Sequence, residues 1–275
     1  MKQFILSREP ENNTVRLKGG DYRYLVRVRR LAAGERFPAV LPGGTETLVQ
    51  ILSISRGVLT GKCLPPDEAA SDEAASLEAT SSEAAAQKTK LPPIILLQAL
   101  PKGEKMDLIV RQAAEGGITE IVPFLSEFSI AKVKEGRQKF SRWERIIKEA
   151  RQQSGSKIAT AIRPPLAKEE LFDYWKKQQE NGALGLLFHH EGLENKSLHS
   201  YLDSIPPAVV MAVGPEGGFS DGEVAFFLEN GFKPLTIGDT VLRTETAALY
   251  CAAAIRILLL ERNSWELKQA KPGSV

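Results

Sequence analysis

The spacing of hydrophobic positions changes along the chain and predicts two kinds of architecture. The first 64 residues carry short β-prone runs at 4–6, 14–17, 36–41, 47–54 and 58–63. Regular short runs separated by glycine turns are typical of a small β-barrel. From residue 92 onward, apolar runs such as 94–99 alternate with segments of helical period, such as the one that places Met106, Ile109 and Val110 on one face. This alternation predicts an α/β fold in which helices cover a parallel sheet.

The segment between these regions follows neither pattern. Residues 65–90 repeat motifs such as Asp-Glu-Ala-Ala-Ser with a period of five, and Leu77 is their only large apolar residue. Because no face of such a segment can be buried, we expect disorder or transient helix. The pattern therefore divides the chain into a barrel domain (1–64), an acidic low-complexity linker (65–91), an α/β domain (92–265) and a C-terminal tail (266–275).

Two glycine-rich turns follow apolar strands in the second half of the α/β domain. The unbroken apolar run 209–213 predicts a buried parallel strand, which turns through residues 214–218. Ser220 and Glu223 then form the capping box of a helix, as Ser141 and Glu144 do earlier in the chain.

A second strand at 234–237 meets a second turn at Gly238 and Asp239, before an apolar helix at 247–260. Two such turns at the carboxyl edge of a parallel sheet predict a crevice for a small ligand, because glycine lets backbone amides approach it closely. Their spacing is neither that of a dinucleotide site nor that of a P-loop.

The two turns also carry a family resemblance. Gly-Pro-Glu-Gly-Gly-Phe-Ser at 214–220 and Ile-Gly-Asp-Thr-Val-Leu-Arg-Thr-Glu-Thr-Ala at 237–247 resemble the SPOUT methyltransferases, and most closely the RsmE-type family. The resemblance implies a trefoil knot that holds S-adenosylmethionine, a PUA-like barrel at the N-terminus, and methylation of N3 of a uridine in 16S ribosomal RNA. It predicts that the cofactor is bound by Gly214, Glu216, Gly217, Gly218, Ile237, Gly238, Leu242, Arg243, Thr246 and Ala247.

Two positions depart from the family's usual residues. The family usually has arginine where this chain has Thr240, and again where it has Phe128. The resemblance therefore implies that a contact to substrate or to the neighbouring subunit is missing at Thr240, and that an RNA contact is missing at Phe128.

The implied reaction indicates which residues carry the chemistry. N3 of uridine bears a proton, so methyl transfer requires a group that accepts this proton and a cation that stabilises the developing anion. Arg243, directly after the second turn, is the predicted cation, and the adjacent Glu245 is a candidate proton acceptor. Glu216 in the facing turn is a second candidate, with the alternative that it holds the turn by accepting backbone N–H bonds.

The charge distribution favours an anionic partner. Residues 67–87 contain six acidic and no basic residues, so the net charge of +2 leaves +8 on the rest of the chain. A short helix at 22–30 places arginines on one face, either as a solvated surface or as a phosphate-binding patch. Together with residues from strings that resemble the family, the predicted RNA-binding set is Arg23, Arg27, Arg29, Arg30, Lys102, Arg151 and Gln153. The acidic linker could also compete with RNA for this surface.

The remaining expectations concern context and rival functions. The two cysteines form no CxxC pair, and adjacent His189 and His190 point apart on an extended chain, so we expect no metal site. With no predicted leader or membrane span, the cytoplasm is the expected location. The apolar helix at 247–260 predicts a homodimer. Two alternatives stay open: a ribosome-associated RNA-binding protein that has lost the chemistry, and a SPOUT methyltransferase acting on another RNA.

Overall fold

The computed structural model describes residues 4–64, 91–130, 133–189, 196–236 and 238–269. The chain divides into two compact units. The first comprises residues 1–88 together with 152–159, and the second comprises residues 89–151 and 160–275. Residues 152–159 belong to the first unit, although the chain on both sides of them belongs to the second. No hydrophobic pattern predicted this assignment, because it depends on contacts between residues far apart in sequence. Residues 65–90 of the predicted acidic linker lie outside the described residues.

The first unit is built on one sheet whose strands match the predicted short runs. The sheet has the order β1-β3-β4-β5-β2, with β1 parallel to β3 and the other pairs antiparallel. Since β1 and β2 are the two edges, the described pairings leave the sheet open, as a half-barrel. The strands are β1 (Phe4–Ile5), β2 (Thr14–Lys18), β3 (Arg36–Val40), β4 (Glu46–Ser55) and β5 (Val58–Leu64).

A short helical segment lies between β2 and β3, as predicted. It consists of α1 (Gly19–Tyr22) and a π-helical turn (Arg23–Val28). Leu25 points inward and is completely buried with Phe37 and Leu59 in the core of the sheet. The burial of Leu25 determines which face of the π-helical turn is exposed to solvent.

The second unit contains the predicted parallel sheet. Its six described strands run in the order β11-β9-β10-β6-β7-β8 and all pair in parallel. The strands are β6 (Ile94–Ala99), β7 (Glu120–Phe124), β8 (Ala161–Ile162), β9 (Leu184–Phe188), β10 (Val209–Val213) and β11 (Lys233–Leu235).

Helices cover both faces of this sheet, as an α/β fold requires. Ile94 and Leu96 pack in one hydrophobic layer with residues of α2, α3 and α7, whereas Ile95 and Leu97 pack in the opposite layer with residues of α4 and α6. The helices are α2 (Lys105–Gly116), α3 (Val133–Ser154), α4 (Lys168–Glu180), α5 (Leu198–Tyr201), α6 (Asp221–Glu229) and α7 (Thr244–Gln269).

Two helix boundaries differ from the predictions. The capping box predicted at Ser141 and Glu144 is wrong, because α3 already begins at Val133 and these residues lie inside it. The last helix begins at Thr244 and continues to Gln269, beyond the start of the predicted tail at 266. Among the described residues, no helix is both long and apolar enough to span a membrane.

Candidate functional site

Both glycine-rich turns face one cavity at the carboxyl edge of the parallel sheet. Its volume is about 590 Å³, within the usual range for a small-molecule site. The strand ends Phe188, Val213 and Leu235 contribute apolar walls, and the two turns contribute backbone. Because β9 separates β10 from β11, the turns after β10 and β11 stand opposite each other across the end of β9.

The first turn is held by contacts within itself. Its backbone closes through a hydrogen bond of 3.0 Å from the Gly218 N–H to the Pro215 carbonyl. A Cβ on Gly214 would lie 3.1 Å from the carbonyl carbon of Gly218, so no other residue fits without displacing backbone. Gly218 itself has φ +72°, a conformation that favours glycine.

The predicted capping box fixes the helix after the first turn. The Ser220 hydroxyl accepts from the Glu223 N–H, and the Glu223 carboxylate accepts from the Ser220 N–H. Glu223 is buried and accepts two further bonds, from the Ser126 hydroxyl at 2.9 Å and the Glu127 N–H at 3.0 Å. The same carboxylate therefore holds the loop after β7 against the start of α6.

The second turn is held from outside. The amide nitrogen of buried Gln98, in β6, donates to the Thr244 hydroxyl at 3.0 Å and to the Ala99 carbonyl at 2.9 Å. The Thr244 hydroxyl in turn donates to the Gly214 carbonyl at 2.6 Å. These bonds tie the first residue of α7 to the first turn. By contrast, a Cβ on Gly238 would meet nothing within 4 Å.

One lysine stands between a carboxylate of the first turn and a carboxylate at the start of α7. The Lys105 ammonium lies 2.7 Å from Glu216 and 3.8 Å from Glu245. Glu216 also accepts from the Lys102 N–H at 3.2 Å. Partial burial acts to raise the pKa of Glu216, but hydrogen bonds from Lys105 and Lys102 outweigh it and hold that pKa below its ordinary value. The Oε2 atom of Glu245 is buried and has no hydrogen-bond partner.

The predicted cation reaches the cavity from the second turn. Arg243 is exposed and lines the cavity. Its backbone carbonyl accepts from the N–H groups of Thr246 at 2.9 Å and Ala247 at 2.8 Å, so its main chain forms the start of α7 while its side chain stays available.

The structure brings most of the predicted cofactor residues together. Thr246 is exposed on α7 outside the cavity lining, and Ile237 lies outside the described residues. The others line the cavity: Gly214, Glu216, Gly217, Gly218, Gly238, Leu242, Arg243 and Ala247. The sequence reasoning missed Lys105 and the strand ends, although the carboxyl ends of three parallel strands were a signal for the latter.

Both positions that depart from the family's usual arginine lie at this site. Thr240 lines the cavity. Phe128 packs on the first turn, where a Cβ on Gly217 would lie 3.2 Å from the Phe128 Cβ. The Phe128 side chain is nevertheless 50 % exposed.

The predicted RNA-binding residues fall into three groups. In the first unit, Gln153 and the four arginines of the helical segment (Arg23, Arg27, Arg29 and Arg30) are exposed. In the second unit, Lys102 is exposed beside the first turn. Arg151, also in the second unit, is 5 % exposed, and burial lowers the pKa of its guanidinium.

A cysteine thiol also lines the cavity. It belongs to Cys251, and burial raises the pKa of this thiol, which keeps it protonated at neutral pH. The described residues contain no group of three potential metal ligands, and His190 and Glu191 lie outside them.

Comparisons with known proteins agree with this arrangement. The family model of the RNA methyltransferase domain matches residues 87–256. Ribosomal RNA small subunit methyltransferase E of Synechocystis is 30 % identical, over 90 % of this chain and 74 % of its own length.

Solved structures share the fold. One is a ribosomal RNA small subunit methyltransferase E of Neisseria gonorrhoeae bound to S-adenosylmethionine, with a TM-score of 0.72 and 24 % identity over 94 % of this chain and 98 % of its own. Another is a methyltransferase of Legionella pneumophila with the same bound cofactor, with a TM-score of 0.69 and 25 % identity over 93 % and 95 %. These matches confirm the resemblance carried by the two turns, and the chain belongs to the ribosomal RNA small subunit methyltransferase E family of RNA methyltransferases.

Proposed function

We propose that this protein uses S-adenosylmethionine to methylate N3 of a uridine in 16S ribosomal RNA of the small ribosomal subunit. The observation that carries the proposal is the single cavity lined by both glycine-rich turns, in a chain of this family. The alternatives of an RNA-binding protein without chemistry and of a different RNA substrate are outcomes of the test below.

The cavity fits the chemistry of the cofactor. Backbone at Gly214, Gly217 and Gly238 can approach it without side chains, and Val213 and Leu235 offer apolar surface to the adenine ring. The carboxylate of Glu216 lines the cavity and provides negative charge near a ligand that carries an ammonium and a sulfonium. When bound, S-adenosylmethionine supplies an electrophilic methyl group.

The residues of this chain then have distinct tasks. Arg243 reaches the cavity with an exposed guanidinium and stabilises the negative charge that develops on the uracil oxygens as N3 loses its proton. Glu245 is the candidate acceptor of that proton, because its carboxylate lies 3.8 Å from the ammonium of Lys105, which lines the cavity. Glu216 is already engaged by Lys105 and the Lys102 N–H, which favours the alternative that it holds the first turn.

RNA binding and chain topology complete the proposal. The exposed arginines of the helical segment give the first unit a phosphate-binding face, in keeping with a PUA-like domain. We also propose the trefoil knot for the second unit, from the resemblance of its two turns. Action on ribosomal RNA agrees with a cytoplasmic localisation.

We further propose that the protein is a homodimer through α7. Tyr250, Ile257 and Leu260 are large, exposed and spaced along one side of this helix, opposite buried Ile255 and Leu259. An apolar stripe of this kind favours a partner surface. Aspartate at Ile257 should separate the subunits, so that light scattering gives the mass of one chain. Aspartate at Ala253, an exposed residue on the same helix face, tests how far the contact extends along α7. A wild-type protein with the mass of one chain at micromolar concentration rules out the dimer.

Incubation with S-adenosylmethionine carrying a labelled methyl group and with small subunits that lack the modification tests the function. We expect label in 16S ribosomal RNA, N3-methyluridine in its nucleoside digest, and one primer-extension stop, because a methyl on N3 blocks base pairing. Calorimetry with S-adenosylmethionine separates an enzyme from a binding protein. Label found in transfer RNA but not in the small subunit would favour another substrate.

A further inference from the structure

The loop after β7 presents large apolar side chains to solvent beside the cavity. Phe128 is 50 % exposed and Ile130 is 71 % exposed. Because burying such a side chain is favourable, an exposed pair in a short loop indicates a surface that another molecule covers.

The exposure does not result from a loosely held loop. The buried Glu223 carboxylate accepts from the Ser126 hydroxyl and the Glu127 N–H, and the Ser129 N–H donates to the Ser126 carbonyl at 3.0 Å. A buried carboxylate that accepts three hydrogen bonds holds its partners firmly. The aromatic ring is therefore presented from a fixed backbone, which lowers the entropy lost when it binds.

The exposed ring also adjoins the wall of the cavity. Phe128 lies against Gly217, and Gly217 lines the cavity. Arg243 lines the same cavity and offers an exposed cation to a phosphate, whereas Lys105 is paired with Glu216. The surface is thus continuous with the place where the substrate base must enter.

The chemistry of the substrate indicates what covers the ring. N3 lies on the pairing edge of uracil, so the target uridine has to be unpaired before it can react. A uridine that is turned out of the stack to react leaves its neighbours without a stacking partner, and aromatic side chains bind such bases through their faces.

Resting on the proposed function, we propose that Phe128 stacks on an unpaired RNA base next to the target uridine and so contributes to the choice of substrate. Ile130 extends the same apolar surface. This contact is apolar and releases no counterions, which distinguishes it from the phosphate contacts expected of the exposed arginines.

The test is equilibrium binding of the full chain to labelled small ribosomal subunits that lack the modification, measured at several salt concentrations. Phe128→Ala should weaken binding about 5- to 100-fold, the range expected for one stacked base. The slope of log K against log salt should stay at the wild-type value, and the affinity for S-adenosylmethionine should not change. Phe128→Trp should restore binding, and Phe128→Leu should restore only part of it, because leucine keeps apolar area without a ring face.

Ile205→Ala is the matched control, since Ile205 is an exposed apolar residue of the same unit outside the cavity lining. It should bind as the wild type does. Equal binding by Phe128→Ala, or full recovery with leucine, overturns the proposal. Conversion of a dimer to single chains by Phe128→Ala also overturns it, since the surface would then belong to a second copy. Methylation by the wild type, scored in the same samples, tests the proposed function separately, because the binding comparison stands even if no methyl group is transferred.

Discussion

The two glycine-rich turns face the same cavity but are held in place by different means. The first turn is closed by its own backbone, with Gly214 packed directly against Gly218. The second has open space around Gly238 and is positioned by Gln98 and Thr244 from outside the turn. The difference indicates a division of labour, in which a rigid first turn holds the cofactor and the second turn presents the reactive side chain.

Removing the cation of the second turn should have the largest effect and should fall on the rate. Arg243→Ala should lower the single-turnover rate by about 100-fold or more, as the loss of a group that stabilises developing charge does, with little change in S-adenosylmethionine affinity. The start of α7 should survive, because the bonds to Thr246 and Ala247 come from the Arg243 backbone.

Lysine at position 243 should recover part of the rate, since it keeps the charge but loses the planar fork. Melting and light scattering on the same samples separate a catalytic from a structural role. Full methylation by a stable Arg243→Ala protein excludes the catalytic assignment and leaves Glu245 or the RNA as the source of catalysis.

A change in the first turn should instead affect binding. Gly214→Ala puts a Cβ 3.1 Å from the Gly218 carbonyl carbon, and a backbone shift that relieves it distorts the turn. We expect S-adenosylmethionine to bind about 10- to 100-fold more weakly, from an overpacking strain of about 1–3 kcal/mol. Gly238→Ala is the matched variant of the second turn, where the strain of φ +71° costs only about 1 kcal/mol. Calorimetry that finds Gly238→Ala the weaker binder contradicts the comparison.

The sequence predicted the parts of this picture that are local. Continuous apolar runs predicted β6 and β10 as buried parallel strands, and Ser-Asp-Gly-Glu predicted the capping box at Ser220, both confirmed by the structure. The capping box at Ser141 failed because the same residue types also occur inside a solvent-facing helix, and the pattern does not distinguish the two.

Contacts between distant segments could not be read from a pattern. Glu223 was predicted as a capping residue, yet it also anchors the loop at Ser126. No pattern indicated that Lys105 pairs with Glu216 and Glu245. The charge of Arg151 is visible in the sequence, but its burial is not. These contacts and this burial depend on which distant segments the fold brings together. The spacing of residues along the chain does not show that.

The bonds that position the second turn should matter less than its arginine. Gln98→Leu keeps the approximate size of a buried side chain but removes its bond to Thr244, so we expect about 5- to 20-fold weaker S-adenosylmethionine binding, in line with the loss of one or two buried hydrogen bonds. Thr244→Val should act similarly, and the double variant should lose less than the two singles together, because both break one network.

Thr160→Val is the control for a buried threonine hydroxyl. Its hydroxyl donates to the Ile118 carbonyl at 2.7 Å in the same unit, outside the cavity lining. It should lower the melting temperature yet leave the affinity for S-adenosylmethionine unchanged. If Thr160→Val weakens that affinity as much as Thr244→Val does, the effect is one of general stability and not of positioning.

The smallest effect should come from the ion pair that links the first turn to α2, and it should depend on pH. Because the pKa of folded Glu216 lies below its ordinary value, the pair stabilises the fold above the unfolded pKa, and the contribution is lost as pH falls through the folded pKa. Both side chains are about a third exposed, so the contribution at pH 7 should be below about 1 kcal/mol, or a few degrees in melting temperature. The melting temperature of Glu216→Gln should therefore be lower than that of the wild type at pH 7 and approach it below about pH 4.

Glu149→Gln is the control, because it breaks a more exposed pair with Arg145 at 3.8 Å. Its melting temperature at pH 7 should differ less from that of the wild type. If the difference in melting temperature between Glu216→Gln and the wild type is the same at pH 7 and at low pH, Glu216 holds the first turn without its charge. The ion pair with Lys105 then does not stabilise the first turn.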